Sequence, residues 1–257
     1  MKLITSRDNP QLKTWRRLAQ ETTAYRKVGQ FWLEGDHLCR AAVERGMQAL
    51  QIVMCETFFE EQGPRWESST APLFVLPDAL FASLSGLESP ARMGFVMPWT
   101  TEKSVLPDAM TVVLDRLQDA GNVGTILRCA SAFGFRQVLA IKGTAALWSP
   151  KVLRAGMGAH FGLHLVESVS EADVATLRIP VLTTSSHEGP FLHELQKNGD
   201  LPRLCAWVFG HEGQGVSDSL MKLASHRVRI SQPGGEESLN VGTAAAICLH
   251  ASATTHF

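Results

Sequence analysis

The sequence predicts an α/β fold in which parallel strands alternate with helices. The chain has 257 residues, of which 45% are apolar, and this is enough to bury a core. Short runs such as Thr111-Val-Val-Leu114 are almost wholly apolar, which is typical of strands covered on both faces. Stretches with apolar residues at helical spacing separate these runs. This alternation indicates a parallel sheet, and such sheets bind ligands at the carboxyl ends of their strands.

The first predicted element is a helix that begins at Asn9 and Pro10, because Asn caps helices well and Pro suits a first turn. Its apolar residues follow at helical spacing, at Leu12, Trp15 and Leu18. Further along, we predict strands at residues 31–34, 50–54, 73–76 and 94–97 and helices at residues 36–45 and 78–84. These elements form a smaller α/β unit.

A polar run without periodicity lies between Pro98 and Pro107, as is typical of a linker. We therefore expect a domain of residues 1–97, a linker of residues 98–107 and a second domain of residues 108–257.

The second half predicts the main parallel sheet. Its strands are expected at residues 111–114, 137–141, 163–166, 181–185, 205–209 and 227–230. A helix with Val123 and Ile126 on its apolar face closes at Gly134. A last, alanine-rich helix is expected at residues 239–251.

Composition argues against several classes of protein. The longest apolar runs are too short to span a membrane and no apolar signal core follows Met1, so we expect a cytoplasmic protein. The five cysteines are scattered and never form a Cys-x-x-Cys pair, which argues against a disulfide framework or a zinc knuckle. The net charge of -1 gives no global signature of nucleic-acid binding, so any RNA contact must come from a local patch.

The first thirty residues supply such a patch, with seven basic and two acidic side chains. The candidates for phosphate contact are Lys13, Arg16, Arg17, Arg26 and Lys27. From composition alone, an ordinary solvated helix face explains these charges as well as phosphate binding does.

Three predicted loops are rich in functional side chains. In the first, Asn122 can cap the following helix, and Arg128 lies six residues further along it. Arg128 stands among apolar neighbours, so it must either extend outward into solvent or find an anionic partner. The ordinary alternative is a simple cap and a solvated charge.

The second loop follows a strand with the spacing Gly210-x-x-Gly-x-Gly, which differs from the dinucleotide fingerprint. A ribose-binding acid is expected about twenty residues later. The chain has Ile230 there, so a Rossmann dehydrogenase is disfavoured, and no Walker lysine motif supports ATP hydrolysis.

The third loop has a Pro-Gly-Gly turn at residues 233–235, and residues 238–240 then open the last helix. The glycines let the main chain approach a ligand closely, and the helix start leaves N–H groups unpaired. We therefore predict a binding site here.

His160 and His164 are four residues apart and could hold zinc. However, no His-Glu-x-x-His pattern accompanies them and Gly162 indicates a turn, so structural histidines are favoured.

Five motifs follow one another along the chain. In order they are Ile4-Thr-Ser-x-x-Asn-Pro10, Arg26-x-x-Gly29-x-Phe31-x-x-Glu34-Gly35, Asn122-x-Gly124-x-x-x-Arg128, Gly210-x-Glu212-x-x-Gly215, and Ile230 through Glu237-Ser-Leu-Asn240-Val. Together they resemble the motifs of the SpoU/TrmH branch of the SPOUT RNA methyltransferases. The first two resemble the family's N-terminal substrate-binding domain, and the last three span nearly the whole second half.

The resemblance implies a 2'-O-ribose methyltransferase that uses S-adenosylmethionine on RNA, works as a homodimer and carries a trefoil knot in its C-terminal sheet. It assigns Arg128, Asn122, Glu212, Ser238 and Asn240 to catalysis. It assigns Gly210, Ile230 and Leu239 to the cofactor, with Thr183 or Thr184 nearby. No metal or membrane is implied, and the small apolar helix 239–251 is consistent with burial against a partner subunit.

A guanidinium is almost never deprotonated in a protein, so we expect Arg128 to act electrostatically while Ser238 and Asn240 orient the ribose hydroxyl. Ser231 and Gly156 depart from the family pattern, which often has Pro and Ser at these positions. Neither belongs to the expected catalytic set.

Two other functions stay open at this point: a non-catalytic RNA-binding assembly factor with the same fold, and a zinc hydrolase built on the two histidines. The resemblance leaves open whether tRNA or rRNA is the substrate.

Overall fold

The computed structural model describes residues 1–66, 69–86, 89–185, 187–234 and 238–255. The chain divides into two compact units. The first comprises Met1–Thr100 and Trp148–Phe161, and the second comprises Thr101–Leu147 and Gly162–Phe257.

The described residues form helices and strands in the expected alternation. The helices are α1 (Pro10–Gln20), α2 (Ala24–Val28), α3 (Asp36–Glu44), α4 (Glu56–Gln62), α5 (Asp78–Ala82), α6 (Ala120–Ala132), α7 (Pro150–Gly156), α8 (Glu171–Val174), α9 (Leu192–Asn198), α10 (Asp218–Leu223) and α11 (Val241–Thr254). The strands are β1 (Lys2–Leu3), β2 (Gln30–Glu34), β3 (Gln51–Cys55), β4 (Leu73–Leu76), β5 (Met93–Pro98), β6 (Thr111–Asp115), β7 (Gln137–Ile141), β8 (His164–Val169), β9 (Val181–Thr184), β10 (Ala206–Gly210) and β11 (His226–Val228). Short 3-10 helices lie at Gly63–Arg65 and Ala159–Gly162.

The first unit is a five-stranded sheet in the order β1-β4-β3-β5-β2, in which β5 runs antiparallel to both its neighbours. Helix α1 begins as the sequence predicts, because the side chain of Asn9 accepts a hydrogen bond from the Gln11 amide. Its apolar face is buried, and Trp15 packs edge-on against Phe74 of β4 at 5.2 Å between ring centroids.

Residues 148–161 lie with the first unit rather than with the sequence around them. The ring of Trp148 packs against Phe31 of β2 at 4.7 Å and against His160 at 5.3 Å. Arg154 of α7 pairs at 3.5 Å with Glu34, whose side chain is 3% exposed. The domain limits of residues 1–97 and 108–257 stay a prediction, and the compact units differ from them in this segment.

The second unit contains a six-stranded, entirely parallel sheet in the order β11-β9-β10-β6-β7-β8. This confirms the predicted parallel sheet. Its strands are buried and helices cover them, as the continuous apolar runs indicated. Trp207 of β10 donates its indole N–H to Ser252 Oγ of α11 at 2.8 Å, which joins the last helix to the sheet.

Some predicted element limits were wrong by a few residues. Strand β8 continues to Val169 because it pairs with β7 through a register shift, at which Ser168 has a φ of 60°. Strand β11 ends at Val228, two residues before the predicted end at Ile230. Among the described residues, no helix is long and apolar enough to cross a bilayer.

Candidate active site

A cavity of about 510 Å³ opens in the second unit at the carboxyl ends of β9, β10 and β11. Parallel sheets commonly bind ligands in this position. Four of the residues assigned to the cofactor line it, namely Thr184, Gly210, Ile230 and Leu239. Thr183 is fully buried in β9 and is not among the lining residues. Gly235 and Glu237 of the third loop lie outside the described residues.

The turn after β10 forms one wall of the cavity and requires glycine at its start. A Cβ atom on Gly210 would lie 2.1 Å from both the Gly215 carbonyl carbon and the Val216 nitrogen. Gly215 has a φ of 69°, which favours glycine. The chain therefore doubles back at this turn and exposes main chain to the cavity.

Glu212 binds the start of α6 from this turn. Its carboxylate accepts hydrogen bonds from the Gln118 and Asp119 amides, each at 3.1 Å, and from Asn122 Nδ2 at 3.3 Å. Burial raises the pKa of Glu212, but these hydrogen bonds and one from its own amide outweigh the burial, so the net pKa is lowered. Glu212 is therefore a carboxylate at neutral pH.

Asn240 binds the same network from the other side. Its Nδ2 donates to Asn122 Oδ1 at 2.9 Å, and its Oδ1 accepts from the amides of Gly242 and Thr243 at the start of α11. Asn240 is thus the cap of α11, and the helix begins at Val241, two residues after the predicted start at Leu239. Three loops that are far apart in sequence meet in these hydrogen bonds.

The predicted cap of α6 was wrong. Asp119 is the N-cap and accepts from the Asn122 amide at 2.7 Å, so Asn122 lies in the first turn of the helix. Both are residue types that cap helices, and the sequence alone did not separate them. Because Asp119 caps the helix, the Asn122 side chain can form hydrogen bonds with Glu212 and Asn240 instead.

The two other residues assigned to catalysis have different surroundings. Ser238 is exposed and lines the cavity beside Asn240. Arg128 is exposed on α6 and makes no hydrogen bond or ion pair with any described residue, so it extends into solvent. It is not among the residues that line the cavity. The structure thus joins Asn122, Glu212 and Asn240 directly, places Ser238 on the same cavity, and leaves Arg128 apart.

The basic residues of the first unit differ in their partners. Lys13 pairs with Asp8 at 3.2 Å, Arg17 pairs with Glu21 at 3.0 Å, and Arg16 donates to the Ser83 carbonyl and hydroxyl. Arg26 donates to the Tyr25 hydroxyl and lies near its ring. Lys27 is exposed and has no partner in the described part of the chain. All five remain candidates for RNA contact.

Sequence reasoning gave no role to Asp115, Arg116 or Gln118. Asp115 ends β6, and the other two lie in the loop that follows it. The Gln118 side chain donates to the carbonyls of Arg116 at 3.0 Å and Gly143 at 2.6 Å, which fixes the loop that presents its amide to Glu212. Backbone contacts of this kind leave no signal in a single sequence.

His160 and His164, for which the sequence favours a structural role over zinc binding, lie in different surroundings. His160 is buried in the 3-10 helix of the first unit, and His164 Nε2 contacts the Ser104 carbonyl at 2.7 Å in the second. Within the described ranges, no three His, Cys, Asp or Glu side chains are grouped to hold a metal ion.

Known protein families match both halves of the chain. The SpoU rRNA Methylase family matches residues 109–250, and the MRM3-like substrate binding domain matches residues 9–93. The chain is 30% identical to the 23S rRNA (guanosine(2553)-2'-O)-methyltransferase RlmP of Bacillus subtilis (strain 168), over 97% of this chain and 98% of that protein.

Solved structures resemble the whole chain as well. An RNA 2'-O ribose methyltransferase superposes with a TM-score of 0.79 at 27% identity, covering 97% of each chain. The SpoU methyltransferase AviRb from Streptomyces viridochromogenes, in complex with AdoMet, superposes with a TM-score of 0.82 at 22% identity, covering 95% of this chain and 97% of that one. The second likeness concerns the fold alone.

Proposed function

This chain belongs to the SpoU rRNA methylase family, and from that premise we propose that it transfers the methyl group of S-adenosylmethionine to a ribose 2'-hydroxyl of structured RNA, either tRNA or rRNA. The expected enzyme class and the expected cofactor thus agree with the family.

One observation carries the proposal. The cavity at the carboxyl ends of β9 to β11 lies beside the hydrogen-bonded group of Glu212, Asn122 and Asn240. The cavity is large enough for a nucleoside-sized ligand, and Gly210 lines it at a turn so tight that a Cβ atom there would collide with the main chain of Gly215 and Val216. These features fit S-adenosylmethionine, which Gly210, Ile230, Leu239 and Thr184 would hold.

When bound, S-adenosylmethionine supplies a methyl group on a positively charged sulfur. Ser238 and Asn240 orient the ribose hydroxyl, and Glu212 holds Asn122 and the loop before α6 in place. Fixing the geometry of two reactants contributes about 7 to 11 kcal/mol in favourable cases. The role of these residues is therefore mainly one of positioning.

Arg128 supplies a positive charge for the substrate. Its side chain is exposed and unpaired among the described residues, so it can bind a phosphate of the RNA without first breaking an ion pair. Where the bound RNA brings its ribose oxygen within reach of this guanidinium, the same charge stabilises the developing alkoxide, an effect typically worth about 3 kcal/mol.

The experiment is a two-part assay on the purified protein. Calorimetry measures binding of S-adenosylmethionine, and methyl-labelled S-adenosylmethionine is then mixed with RNA from cells that lack the protein. We expect binding and label in RNA. If neither cofactor binding nor transfer occurs, the non-catalytic assembly factor replaces this proposal. Mapping of ribose methylation in cells with and without the protein identifies the RNA and the nucleotide.

We further propose a homodimer that buries the outer face of α11. Ile247 on this helix is 38% exposed, and Leu239, which lies just before the helix, is 37% exposed. Most of the other residues of the helix are small and apolar, so this face exposes apolar surface that a second subunit can cover. Sedimentation velocity should give a dimer for the protein and a monomer for Ile247→Asp. A monomer for both would reject the dimer.

The C-terminal trefoil knot and cytoplasmic localisation stay predictions. Two observations support the knot: the chain belongs to the family, and β11, β9 and β10 are neighbouring parallel strands.

A further inference from the structure

The carboxyl end of β6 holds an arginine in an unusual backbone conformation. Arg116 has a φ of 59°, in the left-handed region that non-glycine residues rarely adopt. Its amide donates to Thr144 Oγ1 at 3.1 Å, and that hydroxyl donates in turn to the Leu114 carbonyl at 3.0 Å. The surroundings therefore hold the strained backbone in place, a feature that often marks functional sites.

The guanidinium of Arg116 is fixed by a buried carboxylate. Its Nε donates at 2.8 Å to Asp115, whose side chain is 1% exposed. Asp115 also accepts from the Ser217 amide at 2.7 Å. Because Ser217 directly precedes α10, the buried acid joins the end of β6 to the start of that helix.

Arg116 then reaches the cavity wall. Its Nη1 donates at 3.3 Å to Oε1 of Gln214, which is one of the residues that line the cavity. Together, Asp115 and Arg116 hold the turn of residues 211–217 at Gln214 and at Ser217. On the other side of this turn, Glu212 holds the loop before α6.

We infer that Asp115 and Arg116 form a positioning pair that sets the affinity of the cavity for S-adenosylmethionine by fixing the turn of residues 211–217 through Gln214 and Ser217. The inference rests on the proposed function, because it takes S-adenosylmethionine as the ligand of this cavity. Neither residue needs to touch the ligand.

The test is a double-mutant cycle on Arg116→Ala and Gln214→Ala, read out as the dissociation constant of S-adenosylmethionine by calorimetry. If Arg116 acts through Gln214, each single variant binds S-adenosylmethionine less tightly than the wild type. The double variant then has the same dissociation constant as the single variant with the larger loss. We expect about a tenfold loss for Arg116→Ala, within the range of coupling between contacting residues.

Two further variants separate positioning from loss of folding. Arg116→Ala leaves the buried Asp115 carboxylate without its cation, which can destabilise the fold. The double variant Asp115→Asn/Arg116→Ala is therefore measured as well, because it has no uncompensated buried charge. Arg178→Ala is the matched control. Arg178 also pairs with an aspartate, Asp108, in the second unit, but it does not line the cavity. We expect Arg178→Ala to bind S-adenosylmethionine like the wild type.

Further outcomes overturn the inference. Binding by Asp115→Asn/Arg116→Ala within twofold of the wild type would show that the pair does not set affinity. Additive losses in the cycle would show that Arg116 does not act through Gln214. By contrast, an absence of binding by the wild-type protein would reject the proposed function itself, so the two failures are distinguishable.

Discussion

Asn240 Nδ2 donates to Asn122 Oδ1 at 2.9 Å, although the two residues are 118 positions apart in the chain. The same Asn240 side chain caps α11 through its oxygen. One amide group thus joins the start of α11 to the first turn of α6, beside the proposed cofactor cavity.

The two halves of this amide can be tested separately. Asn240→Asp keeps an oxygen for the Gly242 and Thr243 amides but removes the donor to Asn122. We expect stability close to that of the wild type and a loss in kcat of about tenfold, which corresponds to about 1.4 kcal/mol of transition-state positioning. Asn240→Ala also loses the cap, which costs about 1 kcal/mol of stability. Urea unfolding and methyl transfer measure the two effects. Full activity in Asn240→Asp would show that the contact with Asn122 is unimportant.

Glu212 should make the stability of the folded protein depend on pH in the acid range. Its pKa in the folded protein lies below the ordinary value of 4.5, since hydrogen bonds to the carboxylate outweigh burial. The stabilisation is therefore present above pH 4.5 and is lost as the pH falls through the folded pKa. We expect the free energy of unfolding of the wild type to exceed that of Glu212→Gln at pH 7, and the difference to shrink as the pH falls below 4.5. Urea unfolding from pH 7 to below pH 4.5 measures this difference. A difference that does not change with pH would show that the Glu212 carboxylate does not stabilise the fold.

Gly156 should resist substitution because of His160. A Cβ atom on Gly156 would lie 2.5 Å from Cε1 and 2.8 Å from Nδ1 of the buried imidazole. A serine side chain at this position would therefore collide with the ring. Gly156→Ser should destabilise the protein by about 1 to 3 kcal/mol, as overpacking does.

The matched control is Gly156→Ser measured in a His160→Ala background. The serine should cost less there, since the ring that it meets is gone. Thermal unfolding measures both steps, and an equal cost in the two backgrounds would show that the clash is relieved in another way.

Sequence reasoning predicted periodic features well. Apolar runs located the strands of both sheets except the two-residue β1, and Asn9 was found as a cap because cap chemistry is local. It missed features that depend on tertiary contact. Asp119 and Asn122 are both suitable caps, and only the carboxylate of Glu212, ninety residues away from Asn122, distinguishes their roles. Likewise, the packing of Trp148 on Phe31 could not be read from local pattern.

Lys27 offers the clearest test of RNA contact in the first unit. It is exposed and unpaired among the described residues, so its removal breaks no contact that supports the fold. If it binds a phosphate, Lys27→Ala should lower RNA affinity and reduce the slope of log affinity against log salt by about 0.7 to 0.9. Fluorescence anisotropy with a labelled RNA hairpin measures both. Lys197→Ala, another exposed lysine unpaired in the described residues, should leave the slope unchanged. An unchanged slope for Lys27→Ala would remove Lys27 from the interface.

Methyl transfer to a ribose 2'-hydroxyl can be tested by alkaline hydrolysis of RNA that the purified protein has labelled from methyl-labelled S-adenosylmethionine. A 2'-O-methyl group blocks cleavage of the adjacent phosphodiester, because the oxygen can no longer attack the phosphorus. We expect the label in alkali-resistant dinucleotides. Label in alkali-released mononucleotides, or no label in RNA, would show that the protein does not methylate ribose.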